Sequence, residues 1–215
     1  MKTTKKALLF TFCAVLLVVA SVLGTMAYLT SSETVTNTFT VGNVKITLDE
    51  ADVDDSDGDG DTTERDKANS YKLMPGHQYD KDPMIHVDST SEDCYLFVIV
   101  KNEIVNIESN DGEGDKTVAA QMAENGWTKV GPTAEDGTLY VYGTVTDPAA
   151  VKGGENKTVF TTFKIDGDVT NTALAEYKDE TIVVTAYAVQ KDGFEDNEAS
   201  EIWSTAFGTP ALQQN

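Results

Sequence analysis

At 215 residues and 23.2 kDa the chain suits one domain, and 40% hydrophobic residues are enough to bury a core. With 16 Lys+Arg against 36 Asp+Glu, the formal charge is −20. A chain this acidic repels phosphate backbones and anionic lipid surfaces, which excludes nucleic-acid binding and leaves membrane contact only to an apolar anchor.

Lys2, Lys5 and Lys6 precede a nearly continuous apolar run from Ala7 to Leu23. Thr25-Met26-Ala27 then puts small residues at the −3 and −1 positions of a cleavage site. Basic, apolar, then small is the order of a secretory signal. Residues 1–27 therefore read as a signal peptide cut between Ala27 and Tyr28. Val18-Val19-Ala20 offers a second cleavage position, and an uncleaved anchor is the alternative, since the run is about long enough to span a bilayer. Cleavage after Ala27 removes three lysines and no acids, leaving 13 basic against 36 acidic residues and a formal charge of −23. It also removes Cys13. Cys94 then stands alone, so no intramolecular disulfide can form, and the fold must be held by its core, a metal or a partner. Cys94 opens the apolar run Cys94-Tyr95-Leu96-Phe97-Val98-Ile99-Val100 and reads as a buried, inert thiol.

In the remainder, residues 28–208 form one β domain and 209–215 a loose tail. Val35, Phe39 and Val41, then Val44, Ile46 and Leu48, alternate with Thr and Lys at strand periodicity, interrupted at Gly42-Asn43. Residues 49–69 are an acidic connection with almost no large apolar side chain. Met84-Ile85-His86-Val87 is a short strand, and 94–101 is a strand apolar on both faces. Thr117–Asn125 suits a short helix closed by Gly126. Leu139–Val145, Thr158–Ile165 and Thr181–Val189 are strands. In the last, Ile182, Val184, Ala186 and Ala188 share one face. Asn171–Tyr177 is a short helix or irregular, and Ala199, Ile202, Trp203 and Ala206 give helical spacing within 195–207. Seven to nine short strands without βαβ alternation predict an all-β, antiparallel, jelly-roll-like sandwich with one or two short helices.

The sharpest local pattern is in the acidic connection. Counting from Asp55, positions 1, 3, 5 and 7 are Asp55, Asp57, Asp59 and Asp61, Gly60 is at 6, and Asp66 is at 12. Alternating carboxylates that converge on one hard cation, with Gly for the sharp turn, are the calcium-loop pattern. The departures are Asp at position 12 in place of Glu, Thr62 at position 8, and no flanking helices. A solvated Asp/Gly connection is the alternative.

The leader end Gly24-Thr25-Met26-Ala27-Tyr28-Leu29-Thr30, the strand Phe39-Thr40-Val41-Gly42-Asn43-Val44-Lys45-Ile46-Thr47-Leu48, and the turn Tyr71-Lys-Leu-Met-Pro-Gly-His77 with Lys81-Asp82-Pro83 resemble the TasA/camelysin family. The resemblance is carried by the N-terminal quarter, and beyond it only by strand layout. It implies a protein secreted by a Gram-positive cell, processed by a SipW-type signal peptidase, and placed at the surface or in a biofilm matrix. It implies self-association into head-to-tail polymers, the freed N-terminal segment of one subunit completing the sheet of the next. The segment 28–41 fits such addition, being extended, Thr/Val-rich, free of Pro and Gly, and charged only at Glu33. Tyr28, Val35, Phe39 and Val41 would fill the acceptor groove. The same segment could instead form the first strand of its own domain.

The family resemblance also brings in a metallopeptidase class, but His77 and His86 are nine residues apart without a helical H-E-x-x-H, so the ligand spacing is missing. There is no G-x-S-x-G and no phosphate loop. Trp127, Tyr140, Tyr142, Phe160, Phe163, Tyr187 and Trp203 read as sandwich core. The sequence thus points to a non-enzymatic secreted fibre subunit. A monomeric, calcium-stabilised binding module is the alternative and a metallopeptidase the third.

Overall fold

Two nine-residue strands rich in β-branched and aromatic residues form the spine of the molecule, because such side chains pack well on a pleated surface. The computed structural model describes residues 30–34, 37–40, 43–54, 64–111, 115–131 and 136–208. The predicted leader 1–27, the cleavage pair Ala27-Tyr28, the tail 209–215 and Asp55, Asp57, Asp59 and Asp61 lie outside these residues. Among the described residues, no helix is long and apolar enough to cross a membrane.

The strands of the first half are β1 (Thr30–Thr34), β2 (Asn37–Thr40), β3 (Ile46–Ala51), β4 (Arg65–Asp66), β5 (Gln78–Asp80), β6 (Met84–Val87) and β7 (Cys94–Asn102). The second half holds β8 (Trp127–Lys129), β9 (Thr138–Tyr142), β10 (Ala150–Val151), β11 (Asn156–Thr158), β12 (Thr162–Lys164) and β13 (Ile182–Gln190). Three short helices accompany them: α1 (Val118–Glu124), α2 (Asn171–Leu174) and α3 (Ala199–Phe207).

The large sheet runs β2-β1-β13-β7-β9-β8, with β10 also beside β7. A second sheet runs β11-β6-β3-β4, and β12 pairs with β5. Every pairing is antiparallel. The result is the expected all-β, sandwich-like fold. Ile46, Leu48, Ile85 and Val87 of the second sheet share one core with Leu96, Val98, Val184, Ala186 and Ala188 of the large sheet. The opposite face of the large sheet carries Tyr95, Phe97, Val141 and Val189, which α3 covers with Ile202 and Trp203. The spine is therefore buried on both faces, as its continuous apolar run requires. Burying each Leu, Ile or Phe here stabilises by about 1.5–3 kcal/mol.

The described residues hold more and shorter strands than the predicted seven to nine. The predicted strand Thr158–Ile165 is broken at Val159–Thr161. The Gln121 side-chain oxygen accepts from the Thr161 and Thr162 amides at 3.1 and 3.2 Å, and the Val159 amide bonds to Pro83. A buried glutamine on α1 thus takes donors that a continuous ladder would have used. The helix count is also one higher than the predicted one or two. At 171–174, Thr170 Oγ1 caps a single turn by accepting from the Ala173 amide at 3.2 Å. At 199–207, Glu198 and Glu201 form a reciprocal capping box.

Candidate functional site: an edge strand, an acidic loop base and a cleft

The predicted donor segment is divided between β1 and β2, which pair with each other from Ser31↔Thr40 to Thr34↔Asn37. β1 also pairs with β13 of its own chain, from Thr30↔Val189 to Thr34↔Thr185. Phe39 falls within β2, whereas Tyr28, Val35 and Val41 lie outside the described residues. The segment therefore joins the edge of its own large sheet here, the alternative that the sequence left open.

The acidic connection leaves from β3 and returns through β4, closed at its base by the pairs Glu50↔Asp66 and Ala51↔Arg65. The Asp52 amide donates to the Glu64 carbonyl at 3.3 Å. Arg65, the only arginine in the chain, ties this base together. Its Nε donates to Asp49, its Nη1 to Asp82 at 3.0 Å, and its Nη2 to the carbonyls of Asp49 and Asp82 at 3.2 and 3.0 Å. Asp49 also meets Nε2 of His86 at 3.0 Å. Asp54 accepts from the Ser70 amide, and Asp82 from the Ala51 amide at 2.6 Å. Of the proposed calcium ligands, Asp66 is the one described, and its Oδ1 accepts from the Lys67 amide at 2.6 Å. Among the described residues, no three His, Cys, Asp or Glu side chains gather as a metal site.

The two histidines serve separate local contacts. His86 lies on β6 against Asp49, and His77 follows the Pro75-Gly76 turn with its ring 4.7 Å from Tyr79. The aromatic residues singled out in the sequence are buried or half-buried, as core packing predicts. Cys94 is buried and free, and burial, with Asp93 and Glu155 nearby, pushes its thiol up to about 12.

Between β3, β13 and the segments 66–73 and 177–181 lies a cleft of about 690 Å³. Leu48, Leu73, Ile104, Phe163 and Val184 form its apolar lining. At one end sits an ion pair between Lys81 Nζ and Glu50 Oε2, whose side chains are 10% and 6% exposed. Asn69 donates to Glu50 Oε1 at 2.9 Å. The Tyr71 ring lies 5.9 Å from Lys81 Nζ, and its hydroxyl donates to the Asp80 carbonyl at 3.0 Å. Burial raises the Tyr71 pKa, and the negative charges of Glu50, Asp54, Asp82 and Asp80 raise it further.

The chain matches no family model, no curated protein and no solved structure. Its own geometry must carry the functional reading.

The sequence reading missed the cleft. Glu50 and Lys81 are 31 residues apart, and they meet because β3 pairs with β6 in a register that sets Asp49 opposite Met84. One signal was present. Val44, Ile46, Leu48 and Glu50 follow a period of two, so Glu50 continues the inward face of β3. A carboxylate on an inward position needs a partner.

Proposed function

We propose that the protein is a secreted structural subunit that assembles into extracellular fibres by addition of its N-terminal strand to a neighbouring copy. The observation that supports this reading is the position of β1. It is held at the edge of β13 by a main-chain ladder spanning Thr30–Thr34. A ladder of this kind is satisfied equally by the identical strand of another copy, because backbone groups, not particular side chains, supply the bonds. Exchange that runs head-to-tail from copy to copy without closing grows filaments. The similarity of the N-terminal quarter to the TasA/camelysin family favours the same reading, with export through a SipW-type peptidase freeing Tyr28. The formal charge opposes side-by-side packing of copies, so assembly strengthens as salt or calcium screens it.

Electron microscopy of the protein beginning at Tyr28, beside a version lacking Tyr28–Thr36, tests the reading. Filaments are expected from the first and none from the second. Filaments from both would refute strand addition, and assembly indifferent to salt and calcium would refute the role given to charge.

The calcium-stabilised binding module is the second reading. It is supported by the closed base of the acidic connection, where Glu50 pairs with Asp66, Ala51 with Arg65, and the Asp52 amide meets the Glu64 carbonyl. Calcium titration by calorimetry, with Asp55→Ala and Asp57→Ala as controls, decides it. Affinity is expected in the extracellular range of roughly 10⁻⁴–10⁻³ M. No heat at millimolar calcium removes this reading.

A further inference from the structure

We propose that the cleft beside β13 is a binding site for an extended, basic peptide segment of another protein, apolar at alternate positions. The site continues the edge of β13 past the stretch that β1 occupies, and the two meet at Thr185, which pairs with Thr34 and lines the cleft. β13 pairs with β7 along its whole length, Ile182 to Gln190, but with β1 only from Thr185 to Val189. Its first three residues, Ile182–Val184, have no ladder partner on the second side among the described residues, and they line the cleft. An unpaired strand edge is a template for main-chain addition. The cleft volume of about 690 Å³ lies within the range of roughly 300–1,000 Å³ usual for ligand sites.

The chemistry of the walls selects the occupant. Half-buried Leu73, Tyr177 and Ile182, seated over the buried Leu48, Ile104 and Phe163, offer apolar surface to alternate side chains of a strand. At the polar end, the buried Lys81 ammonium carries three N–H groups and gives one to Glu50. Glu50 accepts from Lys81 and Asn69 and keeps free lone pairs. Together they offer one donor and one acceptor, the complement of a peptide C=O and N–H. Charge then chooses between peptides. The lining carries Asp49, Glu50, Asp66, Asp179 and Glu180 against Lys67, Lys81 and Lys178. Lys81 is matched to Glu50, Asp49 to Arg65 and Lys178 to Asp179, so with Arg65 counted five acids face four cations and the balance is one negative charge, while Glu50, Asp54, Asp82 and Asp80 all act on Tyr71. A basic segment is drawn in, and an anionic one is repelled. The same charge disfavours a second copy of this acidic chain as the occupant.

The test is calorimetric titration of the purified protein with acetyl-Lys-Leu-Thr-Leu-Lys-amide and with its charge-reversed form, acetyl-Glu-Leu-Thr-Leu-Glu-amide. The basic peptide is expected to bind one-to-one, and the acidic peptide at least about fivefold more weakly, the scale of a few exposed charge contacts. The volume-conserving double variant Glu50→Gln/Lys81→Met is expected to bind the basic peptide at least about tenfold more weakly, because it removes the buried charges that meet the peptide backbone. Asp179→Lys/Glu180→Lys on the exposed rim is expected to reverse the order of the two peptides, and it decides the matter if the buried double variant does not fold. Equal affinity for both peptides overturns the proposal, as does a rim variant that leaves the order unchanged. No binding of the basic peptide up to about 1 mM, a concentration that would detect even a weak complex, also overturns it. So does displacement of the basic peptide by an equimolar peptide of residues 28–41, which would assign the cleft to self-assembly. Loss of filaments on deleting Tyr28–Thr36 has no bearing on these outcomes, so the two readings fail separately.

Discussion

Replacing Glu108 with Gln should flatten part of the pH dependence of stability. Glu108 is 8% exposed and lies at an isolated bridge opposite Ile165. Its Oε1 accepts from Asn102 Nδ2 at 3.0 Å, whereas Oε2 has no hydrogen-bond partner. Burial raises its pKa above the usual 4.5, against the pull of Asn102 and the nearby Val118 amide. From β9, half-buried Tyr140 feels the Glu108 charge and is itself raised, first by its own burial. The sign follows from the raised folded value. The folded state favours the protonated acid, so the stabilisation is complete below pH 4.5 and is lost as the pH rises through the folded value. Stranding a buried charged oxygen costs about 1–3 kcal/mol, which sets the size of the loss. Gln keeps the oxygen that Asn102 needs but cannot ionise. Urea unfolding of both proteins between about pH 4 and pH 9 gives the difference in stability, in which the other carboxylates cancel. That difference should move by about 1–3 kcal/mol in favour of the variant as the pH rises. Parallel profiles would refute the assignment.

Asp88 and Glu103 should behave in the opposite sense. Asp88 is held down to about 2 by the Thr90 hydroxyl and amide and then by Lys45, and Glu103 to about 2 by Lys101 and then Thr181. Their contributions are present above the usual 3.8 and 4.5 and lost as the pH falls toward 2, which carboxyl NMR titrations can read directly, with Asp88→Asn and Glu103→Gln assigning the signals. Gly143→Ala should destabilise by more than about 1 kcal/mol, since φ is +97° and a Cβ would sit 2.3 Å from the Ala149 amide nitrogen. Thermal melts of this variant beside Leu96→Ala, a fully buried truncation expected to cost about 2–5 kcal/mol, check both. Cys94 should resist thiol reagents in the folded protein at neutral pH and react on unfolding, because burial suppresses its thiolate. Rapid labelling of the folded protein would contradict this.

Strand identity was legible wherever the residues stated their own burial. The apolar run from Cys94 to Val100 and the two faces of 182–189 reappear as β7 and β13, with Val184, Ala186 and Ala188 in one core and Val189 in the other. What failed to show was interruption from a distance. Nothing within 158–165 announces that Gln121, some 40 residues away, takes two of its amides. The acidic connection was legible as composition, but not the arginine clamp at its base, because Asp49, Arg65 and Asp82 become neighbours only through pairing of β3 with β4 and β6.

Local patterning was thus sufficient for the all-β class, the main strands, the buried thiol and the concentration of negative charge. Each depends on side chains within a few residues of one another, and strand periodicity carries that information directly. Tertiary structure alone decided that β1 lies on β13, that Glu50 meets Lys81, and that a cleft opens beside Ile182–Thr185 of β13. Those outcomes depend on the register between distant strands, which sets partners through backbone geometry that short-range sequence does not encode.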